Sequence, residues 1–585
     1  MTDEERKELR THKEGVSGRL GRLDIPSYNL GEIDQRLEDY TLEVARNPHR
    51  HNLWEQLGVE RFFRMIDRYG INADEIRRFF LFYEFLHFPG RRGMTRYRLT
   101  PVQCFQFASV YGFWREPTQE ERETSGSDAM RRVVRECVLY VPRKFSKTTG
   151  SAAFALWDLL YGDANAEAYI GANSQDQAKK CFEAIRGALL RLDPHGRRFV
   201  INKADIRPTR RNPRAAFSQC LTANARTKDG LNASTVIMDE FSQARDSELL
   251  NVLTTSMGVR ENPLTVIITT ASDVFDGPFY PMLTGYKEIL LGKYEDDTVF
   301  AHLFEPDVDD REDDPATWRK VHPHLGVTVQ PTFYDEEWKK TRRAGAELLL
   351  AFRTKLLNLY TEDETQSWIS ATMIRDHTRP LNLEHLGVRL PGTVGIDLSV
   401  SDDFSAVTVG VYDEEKGEIS YRTDYFFPRG ALSGHRNELL YRKWAAAGHL
   451  HLQEGDVINY EEIVEHILWV NRYVDIFAIC YDPAKSLECV NMIGSTDIGW
   501  ALKPFRQTNF YFTSAVQSFE IGIKTGHIWI DDNPITPYCF GNAVLEIDRM
   551  DNMKPYKRTA SGKIDGVITT LMAQAAFNDG QRMMI

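Results

Sequence analysis

Three short apolar runs in this sequence end abruptly on aspartate: Thr235-Val-Ile-Met-Asp239, Gly395-Ile-Asp397 and Ile479-Cys-Tyr-Asp482. Short, largely apolar runs of this kind read as strands buried on both faces, as strands are in parallel sheets. Parallel strands finish at a common edge, and that edge is where α/β proteins bind ligands. A chain with this pattern has to fold so that sheet edges gather negative charge, and gathered carboxylates call for cations.

At 585 residues the chain exceeds what one hydrophobic core can serve, so two to four domains are expected. Residues 1–95 are polar and helical in pattern, a helical extension. From 96 to 304, apolar runs at 135–141, 167–171, 235–238 and 264–269 alternate with helical patterns, the order of a parallel α/β sheet. An acidic stretch at 305–314 marks a boundary, and a small helical segment with Trp318, Trp338 and Trp368 runs to 391. Residues 392–585 open with strands at 392–398, 406–412 and 419–427, then alternate helix and strand to a closing helix at 564–577. That is the order of a ribonuclease-H-like domain.

Net charge is −12, which by itself neither supports nor excludes nucleic acid, because phosphate is bound by local basic surface. The seven cysteines never form C-x-x-C, which argues against a disulfide framework or a structural zinc site and suits a reducing cytosol. The N-terminus lacks the apolar core of a secretory signal, and no apolar run reaches the roughly 18–20 residues that span a bilayer.

The first candidate site follows the strand at 135–141. In Pro142-Arg-Lys-Phe-Ser-Lys-Thr-Thr149, Lys147 and Thr148 fall where a phosphate-binding loop needs them, but Val141 and Ser146 stand in place of its glycines. Backbone N–H groups at the helix start would face phosphate, with Ser146 and Thr149 in the turn. Lys147 would balance β/γ-phosphate charge and Thr148 would ligate Mg²⁺, while Arg143 and Lys144 add positive charge. Asp239 would hold the Mg²⁺ through water and Glu240 would orient or deprotonate the attacking water. Thr270, in Thr269-Thr-Ala-Ser272, ends the next strand where a motor ATPase senses the γ-phosphate. Gln103 is spaced to read adenine, and Arg260 or Arg226 is a candidate arginine for a neighbouring subunit's site. His322 and His324, lacking further ligands, read as ordinary surface residues.

The second site is the set Asp397, Asp482 and Asp565, the last opening the final helix. In a ribonuclease-H strand order the first and fourth strands are neighbours and the last helix crosses them, so the three carboxylates can converge on Mg²⁺ or Mn²⁺. Two such ions would cut a phosphodiester without a covalent nucleophile. Asp403 is either an auxiliary ligand or a turn cap. Lys554, Lys557, Arg558 and Lys563 bring cations toward this site, as a DNA-backbone contact or a solvated loop.

Taken in order, Arg143–Thr148, Ser174–Ala178, Asp229-Gly230, Asp239-Glu240, Thr269–Ala271, His322–Gly326, Phe352…Lys355…Asn358, Trp368, Gly395–Leu398, Tyr481–Pro483 and Lys563–Gly566 resemble the large terminase subunit of tailed bacteriophages. The resemblance covers the chain from about residue 99 to its end. It implies an ATPase that drives double-stranded DNA into the procapsid and a Mg²⁺- or Mn²⁺-dependent endonuclease that cuts concatemeric DNA. It further implies ATP with one Mg²⁺, two ions at the nuclease site, a five-membered homo-oligomeric ring on the portal, a small terminase subunit as partner, and no membrane. The place of action would be the cytoplasm of an infected bacterium, transiently at the portal vertex, without secretion. A remodelling ATPase with a non-cutting ribonuclease-H fold, a transposase or integrase, and a structural capsid protein are the rival readings.

Overall fold

The computed structural model describes residues 3–584, apart from 91–92, 173–174, 223–229, 275–276, 345, 362–367, 370, 400–403, 434, 436, 485, 497, 549 and 558–561. Ser174, Arg226, Asp229, Asp403 and Arg558 therefore lie outside the described residues. Two compact units emerge, Met1–Glu362 and Asp363–Ile585.

In the first unit, helices α1 (Asp3–Leu20), α2 (Gln35–Arg46), α3 (Leu53–Tyr69), α4 (Ala73–Phe85) and α5 (Pro101–Tyr111) precede the sheet. Its strands are β1 (Glu136–Tyr140), β2 (Glu167–Ala172), β3 (Phe199–Ile201), β4 (Asp205–Pro208), β5 (Phe217–Thr222), β6 (Thr235–Asp239), β7 (Leu264–Thr269) and β8 (Val299–Leu303), in the order β8-β1-β7-β6-β2-β5-β4-β3. The six strands from β8 to β5 are parallel, and β3–β4 is an antiparallel hairpin on one edge. Every residue of β7 is buried, as is all of β6 but its terminal Asp239, which accounts for their unbroken apolar runs. Helix α6 (Lys147–Tyr161) follows β1 and is buried from Gly150 to Trp157, matching the all-round apolar pattern read from the sequence, and α7 (Gln175–Leu192) follows β2.

The N-terminal helices belong to this same core, which runs continuously from Val16 to Phe304. A buried polar network ties them to β8: the Tyr40 hydroxyl meets Glu55 at 2.6 Å and His302 at 3.0 Å, and Gln106 reaches the other ring nitrogen of His302 at 3.2 Å. The acidic stretch at 305–314 is an anchor rather than a bare boundary. Asp307 accepts from the Leu53 backbone N–H at 2.8 Å and pairs with Lys13, and Glu305 accepts from the Trp54 indole at 2.8 Å. Beyond it, α8 (Pro315–Val321), α9 (Pro331–Ala344) and α10 (Ala346–Lys355) surround a small cluster of Trp318, Val329, Tyr334, Phe352, Leu356 and Leu357.

The second unit has a central sheet of β9 (Leu390–Asp397), β10 (Ser405–Asp413), β11 (Glu418–Pro428), β12 (Leu450–Gln453), β13 (Val474–Tyr481) and β14 (Ala501–Pro504), ordered β12-β11-β10-β9-β13-β14, with a seventh short strand, Ile528–Ile530, pairing parallel with β11. The first three strands form an antiparallel meander, and β13 lies parallel beside β9. Helix α11 (Tyr460–Asn471) covers one face with Ile463 and Ile467, while α13 (Asp565–Met584) covers the other. Between α11 and α13 come α12 (Asn509–Lys524) and a hairpin of β15 (Ala543–Ile547) and β16 (Met553–Lys557).

Helix α13 lies directly on the β9 backbone. The Thr393 hydroxyl donates to the Ala573 carbonyl at 2.8 Å, and a β carbon on Gly395 would run into the carbonyl oxygen of Thr569. This close approach, rather than any turn, is what glycine serves at 395. The expected outcome for Gly395→Ala is loss of about 3 kcal/mol or more from the second unit, because the nearest groups met, the Thr569 carbonyl oxygen and the Ala573 nitrogen, are both backbone. A urea titration of the full chain, followed by near-ultraviolet circular dichroism, measures it.

Candidate functional site

The ends of β1, β7 and β6 line up at one sheet edge, with Tyr140 opposite Thr269 and Ile268 opposite Asp239. The turn leaving β1 then enters α6 through two residues with left-handed backbone, Lys144 (φ 70°) and Ser146 (φ 71°). Ser146 thus adopts, without glycine, the conformation a phosphate-binding turn requires just before its lysine. For a residue with a β carbon this costs about 1–2 kcal/mol. Val141 instead continues the strand pairing, its N–H donating to the Thr269 carbonyl at 2.9 Å.

Contacts from outside hold the turn. Its successive carbonyls, those of Arg143, Lys144 and Phe145, meet His322 Nε2 at 3.0 Å, the Thr328 hydroxyl at 2.6 Å and His324 Nδ1 at 3.0 Å. The His324 ring stacks on Phe145 with centroids 4.3 Å apart, and its other nitrogen reaches the Thr100 hydroxyl at 2.7 Å. His322 and His324 are 0 % and 1 % exposed, so their reading as surface residues is overturned. Burial pushes both imidazoles down to about 4, which keeps them neutral.

Lys147 donates to Glu240 Oε1 at 2.7 Å and also contacts the Thr270 hydroxyl. Glu240 has left-handed backbone (φ 52°), and its other carboxylate oxygen accepts from the Thr270 N–H at 3.3 Å. The three residues taken from three separate motifs therefore meet. Burial first, and the adjacent Glu240 second, push the Asp239 carboxyl up to about 6, with Lys147 opposing. A carboxylate so placed fits a divalent cation, whose charge would compensate both acids. Thr148 and Thr149 are half-buried at the start of α6, and the Thr149 hydroxyl donates to the Ser146 carbonyl at 3.2 Å. Arg143 and Lys144 are exposed.

Two expectations change. Gln103 is 5 % exposed, and its side-chain oxygen accepts from the Thr100 N–H and hydroxyl, both at 3.1 Å, closing the capping box of α5. That oxygen is committed to the helix start, which argues against an adenine-reading role. Arg260 donates to the carbonyls of Asn165 at 2.7 Å and Asn232 at 2.6 Å, just before β2 and β6. It sits at the opposite end of the strands from the turn before α6 and braces the sheet there.

Sequence reasoning quoted Lys355 and Asn358 only as part of the resemblance; the structure brings both to the site. The Arg143 N–H donates to the Lys355 carbonyl at 3.0 Å, and Lys355 Nζ donates to the Ala271 carbonyl at 3.0 Å. Asn358, also left-handed (φ 56°), accepts from the Ala271 N–H at 2.8 Å and donates to the Phe304 carbonyl at 2.6 Å. Burial and the neighbouring Arg143 push the Lys355 ammonium below its ordinary value.

In the second unit, Gly395 and Cys480 face α13, so strand alternation turns Asp397 to that face, and places Asp482, just past β13, beside it. One amide joins the pair: Gln507 Nε2 donates to Asp397 Oδ1 at 3.3 Å and to Asp482 Oδ2 at 3.2 Å. The loop carrying Gln507 is aligned by the Phe505 N–H, which donates to the Tyr481 carbonyl at 2.8 Å. No sequence signal marks this glutamine.

Asp565 begins α13 and is 8 % exposed. Contacts of Ala573 with Thr393 and of Thr569 with Gly395 step along helix and strand together, about 6 Å per four helix residues against about 6.6 Å per two strand residues. The next step sets Asp565 level with Asp397. A β carbon on Gly566 would strike the Tyr425 hydroxyl, and Tyr425 and Asp397 pair with the same residue, Ala406. The expected convergence is nevertheless incomplete: among the described residues no three Asp, Glu, His or Cys side chains stand close enough to hold a metal. Carboxylate repulsion opposes a tighter cluster, and the Gln507 amide already fills the space between two of the three. The donors are oxygens, which suits Mg²⁺ or Mn²⁺, and an N–H₂ shared by two carboxylates marks where positive charge is favoured.

A parallel sheet with lysine, acid and threonine at one edge, and a ribonuclease-H-like sheet with paired aspartates, define an ATPase joined to a nuclease. Residues 101–288 match the family model "Terminase large subunit, ATPase domain", and residues 293–581 match "Terminase large subunit, endonuclease domain". The chain belongs to the large terminase subunit family and is an ATPase and endonuclease. Protein YmfN of Escherichia coli strain K12 is 25% identical over 365 residues, 60% of this chain and 79% of that protein. The large terminase subunit of Enterobacteria phage HK97 is 23% identical over 451 residues, 75% of this chain and 86% of that one. The crystal structure of the HK97 large terminase covers 86% of this chain and 99% of its own at 22% identity, with a TM-score of 0.47. Among the described residues no helix is long and apolar enough to cross a membrane.

The buried histidines set a pH dependence. Their folded-state values of about 4 lie below the ordinary 6.5, so the unfolded chain binds more protons between those limits. Their contribution is complete above pH 6.5 and is lost progressively as the pH falls toward 4. Urea midpoints of the full chain measured from pH 8 to pH 5 are expected to hold steady and then drop below 6.5, with a shallower drop for His324→Asn.

Proposed function

We propose that ATP binds at the turn before α6, that DNA is cut at the Asp397–Asp482 pair with Asp565, and that the chain is the motor and nuclease of a DNA-packaging machine. Support for the first part comes from the Lys147–Glu240 contact at 2.7 Å, which brings the loop and acid-strand motifs to one point. When ATP binds, the Lys147 ammonium exchanges Glu240 for the β- and γ-phosphates, and Glu240 is released to take a proton from the attacking water. The water oxygen bonds to the γ-phosphorus as its bond to the β,γ-bridging oxygen breaks, leaving ADP and phosphate. Thr148 and Asp239 would hold the Mg²⁺ that accompanies ATP, an ion that neutralises phosphate charge.

At the nuclease site Asp397, Asp482 and Asp565 would hold two Mg²⁺ or Mn²⁺ ions, which supply an activated water and stabilise the leaving oxygen. Gln507 holds the first two carboxylates at a common distance until the ions arrive. Lys554 and Lys557, on the β16 strand of the adjacent hairpin, supply backbone-phosphate contacts without sequence preference. The substrate is double-stranded DNA. The working assembly is a ring of five chains on the portal of a procapsid, with a small terminase subunit supplying site recognition, in the cytoplasm of an infected bacterium.

The test separates the two activities in the full-length chain. Lys147→Ala and Glu240→Gln are expected to lower ATP turnover at least about 100-fold while plasmid cutting with Mn²⁺ persists. Asp397→Ala is expected to abolish cutting while ATP turnover persists. Unchanged turnover in both ATPase variants, or undiminished cutting by Asp397→Ala, would remove the corresponding assignment.

A further inference from the structure

Lys355 is the residue whose placement the loop and acid-strand motifs leave unexplained. It ends α10, more than two hundred residues after the phosphate turn, yet it contacts that turn and the sensor strand at once. Its carbonyl accepts from the Arg143 N–H at 3.0 Å, so the Lys355 backbone is bound to the turn itself. Its ammonium donates to the Ala271 carbonyl at 3.0 Å, one residue beyond Thr270, which Lys147 contacts. Two lysine ammoniums from distant parts of the chain therefore converge on consecutive residues of one strand end. Arg143, Glu240 and Asp273 are its other charged neighbours.

Lys355, Lys147 and Arg143 here face two carboxylates, Glu240 and Asp273, and the excess positive charge favours a further anion. Ammonium groups gathered in a half-buried space repel one another and lose hydration. Glu240 is already engaged by Lys147 and by the Thr270 N–H. A backbone carbonyl satisfies only one of the three hydrogens of Lys355 and none of its charge. The group that would satisfy both is a phosphate lying between the turn and the Thr269–Ala271 strand end, and in a nucleotide whose β-phosphate faces Lys147 that group is the terminal phosphate of ATP.

We propose that Lys355 is a catalytic residue of the ATPase, which leaves the Ala271 carbonyl to bind the γ-phosphate and the charge that builds there during hydrolysis. The proposal rests on the nucleotide site described above. Because ADP lacks that phosphate, Lys355 distinguishes the two nucleotides. Its exchange between phosphate and Ala271 also links the nucleotide state to α10, which it ends, and to Asn358 just beyond, which accepts from the Ala271 N–H.

The experiment compares ATPγS and ADP affinities, by competition against a fluorescent nucleotide, with steady-state ATP turnover. It uses the full chain and the variants Lys355→Ala, Lys355→Arg and Lys147→Ala. For Lys355→Ala, ADP affinity is expected within about twofold of the parent, while ATPγS affinity falls about 10–100-fold, the worth of a charge-assisted hydrogen bond. Turnover falls with it, and Lys355→Arg restores part of both. An unchanged ratio of ATPγS to ADP affinity in Lys355→Ala would overturn the proposal, as would equal loss of both nucleotides, which marks a residue that merely braces the turn. Lys147→Ala is the control for the site itself: undiminished turnover in that variant would overturn the nucleotide site and this proposal together, whereas its loss beside an unchanged Lys355→Ala ratio would overturn the proposal alone.

Discussion

The turn proposed to bind phosphate uses backbone angles that glycine adopts freely, and here non-glycine residues stand at those angles with hydrogen bonds from a remote segment on their carbonyls. Ser146 and Lys144 occupy left-handed positions, each at a conformational cost. His322, Thr328 and His324 take the carbonyls of the turn, and Arg143 adds a backbone bond to Lys355. With its carbonyls engaged on one side, the turn is left to present N–H groups on the other. The proposed nucleotide site therefore depends on residues 315–358 being folded, because His322, Thr328, His324 and Lys355 all bond to the turn.

The same principle appears at the sheet edge. Thr270, Glu240 and Lys147 belong to three different elements, and each satisfies a polar group of another. Asn358 continues the chain of contacts by taking the Ala271 N–H and giving its own amide to Phe304 at the end of β8. The Lys147–Glu240 pair, the Thr270–Ala271 strand end and the residues just before the end of the first unit thus form one connected set of contacts. The N-terminal helices are tied to β8, at the sheet's edge, by the Tyr40–Glu55–His302 network.

The nuclease unit solves a different problem, that of keeping carboxylates together against their own repulsion. Parallel pairing of β9 and β13 places Asp397 and Asp482 side by side whatever their charge, because backbone hydrogen bonds set the register. Gly395 lets α13 approach β9 closely enough for its first residue, Asp565, to come level with Asp397. Gln507 contributes hydrogen-bond donors between the pair without adding net charge.

What the sequence by itself determined is the strands that carry the candidate sites and where they end, while β3, β4, β5 and β8 were not legible in it. The runs closing on Asp239, Asp397 and Asp482 are strands, the helix after Lys147 is buried, and the three-strand meander precedes the final helix. These are legible because period and apolarity are local properties that a strand buried on both faces imposes on its own residues. Which side chains meet was decided only by the tertiary structure. His322 and His324 looked like surface residues because their partners are backbone carbonyls some 179 positions away, and a carbonyl leaves no mark in a sequence. Gln103 and Arg260 suited functional roles by spacing, yet they satisfy a helix cap and two strand-start carbonyls, since a buried polar group takes the nearest partner that the fold supplies. Gln507 and the position of Lys355 were invisible for the same reason: hydrogen bonding across the fold is set by distance in space, and distance in space is fixed only once the sheets are packed.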